Sequence, residues 1–379
     1  MFIVIAIIML LMLGLLTYYI ANKLHGGIKA VLPKAPLWAV LVPLLLLTVC
    51  TLLGFMRINA FPTAVKGVLE VISAYWMGAF VYLLLFCILA DIVALILKLF
   101  KLPFVKNALF KGISAALVLV LAITTVVCGI CNARDIDHIS YEIKVDSVTD
   151  VSDLNIALIS DVHLGAVGSE SRLAEIVDEI NSLNPDLVLI AGDFFDTTYS
   201  AIKNPQKAIK TISRIEATFG TYACLGNHDA GETFNQMQNF LKQSNVILLN
   251  DSYTVIDNRL ILVGRIDAHS IGGYGDLKRK PFAEIGLKND ENLPVIVMDH
   301  NPQNIGEYNS DVDLIVCGHT HKGQIFPANI VTSLVYDVDH GYYRKNPQSP
   351  QVIVTSGVGY WGMPMRVGTN SEIVSIKLI

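Results

Sequence analysis

The chain has 379 residues and a mass of 41.5 kDa, with 53% hydrophobic and 16% charged residues and a mean hydropathy of +0.52, too apolar for a purely soluble or disordered protein. Its charge is divided: residues 1–132 carry nine Lys/Arg against Glu70 and Asp91, a balance of +7, and the remainder carries 19 bases against 31 acids, −12, giving the net −5. An acidic half of that kind lacks the Lys and Arg that hold phosphate backbones, so no nucleic-acid partner is expected.

Four apolar stretches, residues 2–20, 37–56, 71–97 and 109–131, each reach the roughly 17–25 residues that cross a hydrocarbon core. The first lacks a basic n-region and an A-x-A-like site, so it is read as a span rather than a cleaved signal. The first loop carries Lys23, Lys29 and Lys34 and the third Lys98, Lys101, Lys106 and Lys111, against Arg57 and Lys66 in the second and Arg134 at the exit. The positive-inside rule then puts loops one and three in the cytoplasm and both termini outside it. Asp91 lies within the third span, where a carboxylate is a functional candidate by default; with Lys98 two turns on, snorkelling toward the basic end is the favoured reading. Cys50, Cys87, Cys128 and Cys131 fall in the apolar half, and Cys224 and Cys317 end apolar runs, so no disulfide framework or zinc ribbon is legible.

Residues 133–153 read as a linker or first strand, including a β-type run at 141–145, and residues 154–379 as the soluble domain. About 20 residues, with at most ~3.3–3.6 Å of reach each, would keep this domain near the bilayer if part of the linker pairs as a strand. Short apolar runs at 156–160, 187–191, 222–225, 295–298 and 314–317 alternate with helical periodicity. Leu173, Ile176, Val177 and Ile180 recur at i, i+3, i+4 and i+7 after Ser169 or Ser171. That alternation is an α/β layer fold, whose buried strands deliver ligand groups at their carboxyl ends.

Each run stops at a polar cluster: Asp161-Val162-His163; Gly192-Asp193-Phe194-Phe195-Asp196; Gly226-Asn227-His228-Asp229; Asp299-His300-Asn301-Pro302; Gly318-His319-Thr320-His321. Five strand ends thus offer oxygen and imidazole nitrogen and no thiol, a set suited to Mn²⁺, Fe or Zn²⁺. A short extended D-x-H puts both side chains on one side, and the same holds for His319 and His321.

In this order the clusters resemble the signature of the calcineurin-like metallophosphoesterases, D-x-H, G-D-x-x-D, G-N-H-[DE], H and G-H-x-H, over about residues 154–378. The resemblance implies a two-sheet β-sandwich flanked by helices, attached to a four-helix transmembrane module. It also implies two divalent metal ions, Mn²⁺ foremost, with Fe or Zn²⁺ as alternatives. Asp161, His163, Asp193 and His321 would hold the first; Asp193, Asn227, His300 and His319 the second, with Asp193 shared. Two cations so bridged lie about 3.5–4 Å apart and hydrolyse phosphoesters through a metal-bound hydroxide. His228 matches the family's non-ligand histidine, assigned to leaving-group protonation or charge stabilisation, and Asp196 would orient it. Asp229 is read as a ligand-site neighbour or a loop brace.

Protein Ser/Thr phosphatases of this superfamily carry arginine and glycine after G-D-x-x-D, whereas Thr197 and Thr198 stand here, which argues against that subclass. Gly357, Gly359, Pro364, Arg366 and Glu372 look like the C-terminal stretch of the bacterial membrane-associated phosphodiesterase branch. Arg366 would then bind a substrate phosphate, or pair structurally with Glu372. Tyr360, Trp361 and Met363 are read as an interfacial lip or as core, and the loop 271–275 with Lys278, Arg279 and Lys280 as a lid over an anionic head group or as a plain solvated loop. The expected activity is hydrolysis of a phosphodiester or pyrophosphate of a membrane lipid or lipid-linked envelope precursor, on the extracytoplasmic side. The alternatives are hydrolysis of soluble extracytoplasmic nucleotides and, in another class, a metal- or ligand-sensing scaffold or transporter without catalysis. Oligomeric state does not follow from the sequence.

Overall fold

The computed structural model describes residues 2–56, 61–145, 151, 154–165, 167, 169–196 and 198–379; Arg57 and Thr197 lie outside these described residues. The chain divides into two compact units, Met1–Ile130 and Cys131–Ile379.

The first unit holds α1 (Phe2–Ile28), α2 (Trp38–Met56), α3 (Thr63–Leu99) and most of α4 (Ala108–Asn132). All four are long and apolar enough to cross a membrane. Two of them outrun the apolar stretches, α1 by continuing through Lys23 and His25 and α3 by beginning at Thr63, because a helix carries on into polar residues where hydropathy has already fallen. Polar groups between the helices find one another: Trp76 Nε1 donates to Thr48 Oγ1 at 3.2 Å, and Thr17 and Thr48 hydroxyls lie 3.3 Å apart. Asp91, on α3, engages Lys23, one of the basic residues of the same end as Lys98. It accepts from Tyr19 Oη at 2.6 Å and pairs with Lys23 Nζ, so two groups on α1 neutralise a carboxylate on α3.

The second unit is two six-stranded mixed sheets packed face to face with helices outside, the architecture expected from the sequence. Its elements are β1 (Ile136–Ile143), β2 (Asn155–Ile159), α5 (Ser169–Ser182), β3 (Leu187–Ala191), α6 (Pro205–Ile212), β4 (Thr221–Cys224), α7 (Phe234–Gln243), β5 (Val246–Leu248), β6 (Ser252–Ile256), β7 (Leu260–Gly264), β8 (Val295–Met298), β9 (Leu314–Cys317), α8 (Ala328–Val335), β10 (Gly341–Tyr343), β11 (Gln351–Val354) and β12 (Ser371–Leu378). One sheet runs β1-β12-β2-β3-β4-β5, the other β10-β11-β9-β8-β7-β6. β1 begins earlier than the run at 141–145, pairing in parallel with β12 from Ile136↔Ser371 to Ile143↔Leu378.

The central strands are apolar throughout because both of their faces are covered. Leu158, Leu189, Leu262, Ile296, Met298, Leu314 and Val316 point between the sheets. Their neighbours Ile159, Val188 and Ile190 meet Leu173, Ile176, Val177 and Ile180 of α5 and Met237 and Phe240 of α7. On the other flank Val263, Val295, Val297 and Ile315 pack on Tyr308 and Val312. Parallel pairing of β2, β3 and β4, and of β7, β8 and β9, sends the carboxyl ends of all six strands to one edge, where the five polar clusters begin.

Candidate metal centre

At those strand ends the backbone turns abruptly. Asp161, His163, Asp193, His319 and His321 all adopt positive φ, between 48° and 72°, a region non-glycine residues seldom occupy. D-x-H and H-x-H are therefore not extended. Two left-handed residues flanking one ordinary residue turn both side chains to the same side, and such strain persists only where the surroundings over-determine it. Glycines make room: a Cβ on Gly226 would stand 2.2 Å from Asp193 Oδ1, and one on Gly318 2.3 Å from Asp161 Oδ2.

Two clusters result. In one, Asp161 Oδ1 lies 3.2 Å from His321 Nε2 and 3.8 Å from His163 Nε2, and the two imidazoles face each other Nε2 to Nε2 at 3.2 Å. In the other, His300 Nε2 lies 3.1 Å from Asp193 Oδ2 and 3.2 Å from Asn227 Oδ1, which is 2.9 Å from His319 Nδ1. Asp193 Oδ2 joins them, standing 3.8 Å from His163 Nε2. All seven expected ligands are thus brought together, and Asp193 is the one between both groups.

The closest polar pairs here set ring nitrogens against carboxylate or amide oxygens, or against each other. His300 Nδ1 must donate to the Ala191 carbonyl at 2.8 Å, which in the neutral ring leaves Nε2 as a lone pair aimed at two oxygens. Buried lone pairs converging in this way repel unless positive charge lies among them, so the nitrogen and oxygen set fits divalent cations. Burial would raise the Asp161 and Asp193 carboxyls, but the surrounding imidazoles, His163 and His300 among them, hold both below the ordinary range. The imidazoles divide: burial would lower His163 and His300, but the neighbouring Asp161 and Asp193 carboxylates raise both, His300 well above the ordinary value. Burial pushes His319 down to about 4 and His321 well down, keeping both in the neutral form that ligates metal.

His228 stands at the mouth, its ring centroid 5.1 Å from His163 and 6.2 Å from Trp361, with Nδ1 3.7 Å from Asp196 Oδ1. Asp196 Oδ1 is also 3.9 Å from His163 Nδ1. Asp229 is a brace: its two oxygens accept from Phe195 N and Gly226 N, each at 2.9 Å, and burial raises its carboxyl to about 7.

Three expectations change. Arg366 is wholly buried, donates to the carbonyls of Ser356, Gly357 and Gly359 at 2.7–3.2 Å and stands 3.4 Å from His321 Nδ1, while Glu372 pairs with His340 at 2.9 Å rather than with Arg366. Of the lip, Trp361 is 42% exposed but Met363 is buried. The loop 271–275 is pinned rather than free, since Ile271 N donates to Asn227 O, Gly231 N to Gly273 O and Tyr274 Oη to Gly226 O, each at 2.8 Å. Its basic neighbour Arg279 is engaged by Asp299 at 2.6 Å and Glu307 at 2.8 Å. Ser160, whose hydroxyl donates to Asp161, and Tyr274 escaped the sequence reading: nothing in either residue's local pattern signals a contact made in three dimensions.

Residues 154–323 match the calcineurin-like phosphoesterases. The chain carries a calcineurin-like metallophosphoesterase domain. An uncharacterized metallophosphoesterase of Helicobacter pylori is 32% identical over 233 residues, 60% of this chain and 60% of its own length, so the match spans less than two thirds of that relative. One of Campylobacter jejuni is 28% identical over 100% of this chain and 98% of its own. The UDP-2,3-diacylglucosamine pyrophosphatase LpxG of Chlamydia trachomatis is 26% identical over 55% of this chain and 78% of its own.

Proposed function

We propose that this protein is a membrane-anchored phosphoesterase that hydrolyses a phosphodiester or pyrophosphate bond of a lipid or lipid-linked substrate. The observation that carries the reading is the position of Asp193 between two ligand clusters, with His228 at their open side. Asp161, His163, Asp193 and His321 would hold one divalent ion and Asp193, Asn227, His300 and His319 the other. Bound there, the pair would lower the pKa of water and neutralise phosphoryl oxygens.

The chain's own residues do the rest. Backbone N–H groups of His228 (2.8 Å to Asp193 Oδ1) and His319 (3.0 Å to Asp161 Oδ2) hold the two carboxylates in orientation. As the imidazolium, which burial disfavours but the carboxylates of Asp193 and Asp196 favour, and with Nδ1 3.7 Å from Asp196 Oδ1, His228 would give its Nε2 proton to the leaving-group oxygen. Asp229 keeps the loop bearing Asn227 and His228 from shifting.

The lipid class is supported by four helices able to cross a membrane and by a relative whose printed name is a diacylglucosamine pyrophosphatase. The lysines of the first and third loops support an extracytoplasmic domain. Full-length protein in Mn²⁺ should cleave a lipid-linked pyrophosphate in bilayers at higher kcat/KM than a soluble nucleotide; the reverse order would favour the nucleotide reading. A reporter active only in the cytoplasm, fused after Ile379, should be silent.

A further inference from the structure

The second unit's helix α8 is built inside out. Its residues Ile330, Val331, Leu334 and Val335 fall at i, i+1, i+4 and i+5, one continuous stripe of about 140° on a 3.6-residue helix. In an ordinary surface helix that stripe faces the core. Here the four side chains are 50%, 59%, 82% and 58% exposed, and no residue of the helix is buried. The inward contact is polar: Thr332 Oγ1 donates to Asp339 Oδ2 at 2.7 Å, and Thr320 Oγ1 to the Asp339 carbonyl at 2.5 Å.

Both ends of α8 adjoin the metal centre. The turn His321–Gly323 contacts it, and Tyr336, the residue that closes it, lies 6.2 Å ring to ring from His319. Phe326, 43% exposed, precedes it. Gln324 ties the exposed Trp361, beside His228, into the same rim through bonds of 2.8 and 3.0 Å. Apolar surface is therefore gathered beside Trp361 and His228, where a lone phosphate has no use for it.

We propose that α8 is a lipid-inserting helix: its stripe of Ile330, Val331, Leu334 and Val335 enters the bilayer surface and brings the phosphate of a lipid to His319 and His321. Lipid is the occupant because the same chain carries four helices able to cross a membrane, so a bilayer is present wherever the protein is. A helix with its apolar face outward and a tryptophan at its side matches the depth where acyl chains meet head groups. The inference rests on the phosphoesterase reading and adds to it the surface on which the substrate is met.

The test places the photo-crosslinker p-benzoylphenylalanine at Leu334 in full-length protein in phospholipid nanodiscs. A control carries it at Val255, an apolar residue of β6 that is 42% exposed. Turnover of soluble bis(p-nitrophenyl) phosphate within twofold of the parent certifies the fold of each. A lipid-mass adduct at position 334, several-fold above that at 255, is the expected result. Equal adducts at the two positions, no lipid adduct at 334, or an adduct there to a second copy of the chain each overturn the proposal. The readout is independent of catalysis, so loss of the phosphoesterase reading would show separately, as soluble-ester turnover unaffected by Asp193→Asn.

Discussion

Replacing Arg279 with Leu should destabilise the second unit far more than loss of a loop cation would. Asp299, with no exposed surface, accepts from Arg279 Nη2 at 2.6 Å and Nη1 at 3.2 Å, from Tyr308 Oη at 2.6 Å and from Asn304 Nδ2 at 3.3 Å. Without Arg279 a buried carboxylate keeps two neutral donors and no cation, whereas Glu307 retains Arg265 at 3.4 Å. Breaking a buried pair from one side costs roughly 3–5 kcal/mol. In a unit of this size each kcal/mol moves Tm by about 2–4 °C, so a fall of roughly 6–20 °C is expected. The assay is intrinsic-fluorescence melting of full-length protein in detergent, following the transition of the second unit. Adding Asp299→Asn should recover a large part of the loss, because the stranded charge is then gone. A fall below about 3 °C that shrinks further in high salt would refute the reasoning, since that is how an exposed ion pair behaves.

Gly226→Ala drives a methyl group into the space of Asp193 Oδ1, so bound metal measured by atomic emission should fall and diester turnover should drop about a hundredfold or more. Asp229→Ala strands the Gly226 and Phe195 amides, two buried donors at about 1–3 kcal/mol each, and should lower the melting temperature and kcat together; unchanged values of both would count against a brace. Asp91→Ala removes the partner of Tyr19 and Lys23 within the first unit. It should lower thermal stability in detergent while soluble-ester turnover stays within twofold, and a large loss of turnover would give Asp91 a functional part.

Much of the second unit was legible because its strands are buried on both faces. The runs at 187–191, 295–298 and 314–317 coincide with β3, β8 and β9, since an uninterrupted apolar stretch bounded by Asp, His or Gly leaves little freedom in where a strand stops. The candidate ligands were legible as types at strand ends. Their left-handed backbone was not, because nothing local distinguishes an extended Asp-Val-His from one forced to φ near +50° by glycines and carbonyls distant in sequence. Charge burial was the main blind spot. Arg279 sits in a basic run and reads as solvent- or head-group-facing until Asp299 comes into place, and Arg366 beside a glycine-rich loop reads as a phosphate ligand or a partner of Glu372, whereas its partners are the Ser356, Gly357 and Gly359 carbonyls. The stripe on α8 was hidden for a related reason: periodicity shows that a helix has an apolar face, and only packing shows which way that face is turned.

The most direct test of the central claim pairs two numbers from one preparation. Full-length protein purified in detergent and loaded with Mn²⁺ is assayed for bound metal per chain and for hydrolysis of a chromogenic phosphodiester, beside Asp193→Asn and His228→Ala. The account predicts two metals and metal-dependent cleavage in the parent, loss of metal and of cleavage in Asp193→Asn, and loss of cleavage with both metals retained in His228→Ala. Two metals retained and undiminished cleavage in Asp193→Asn would contradict it.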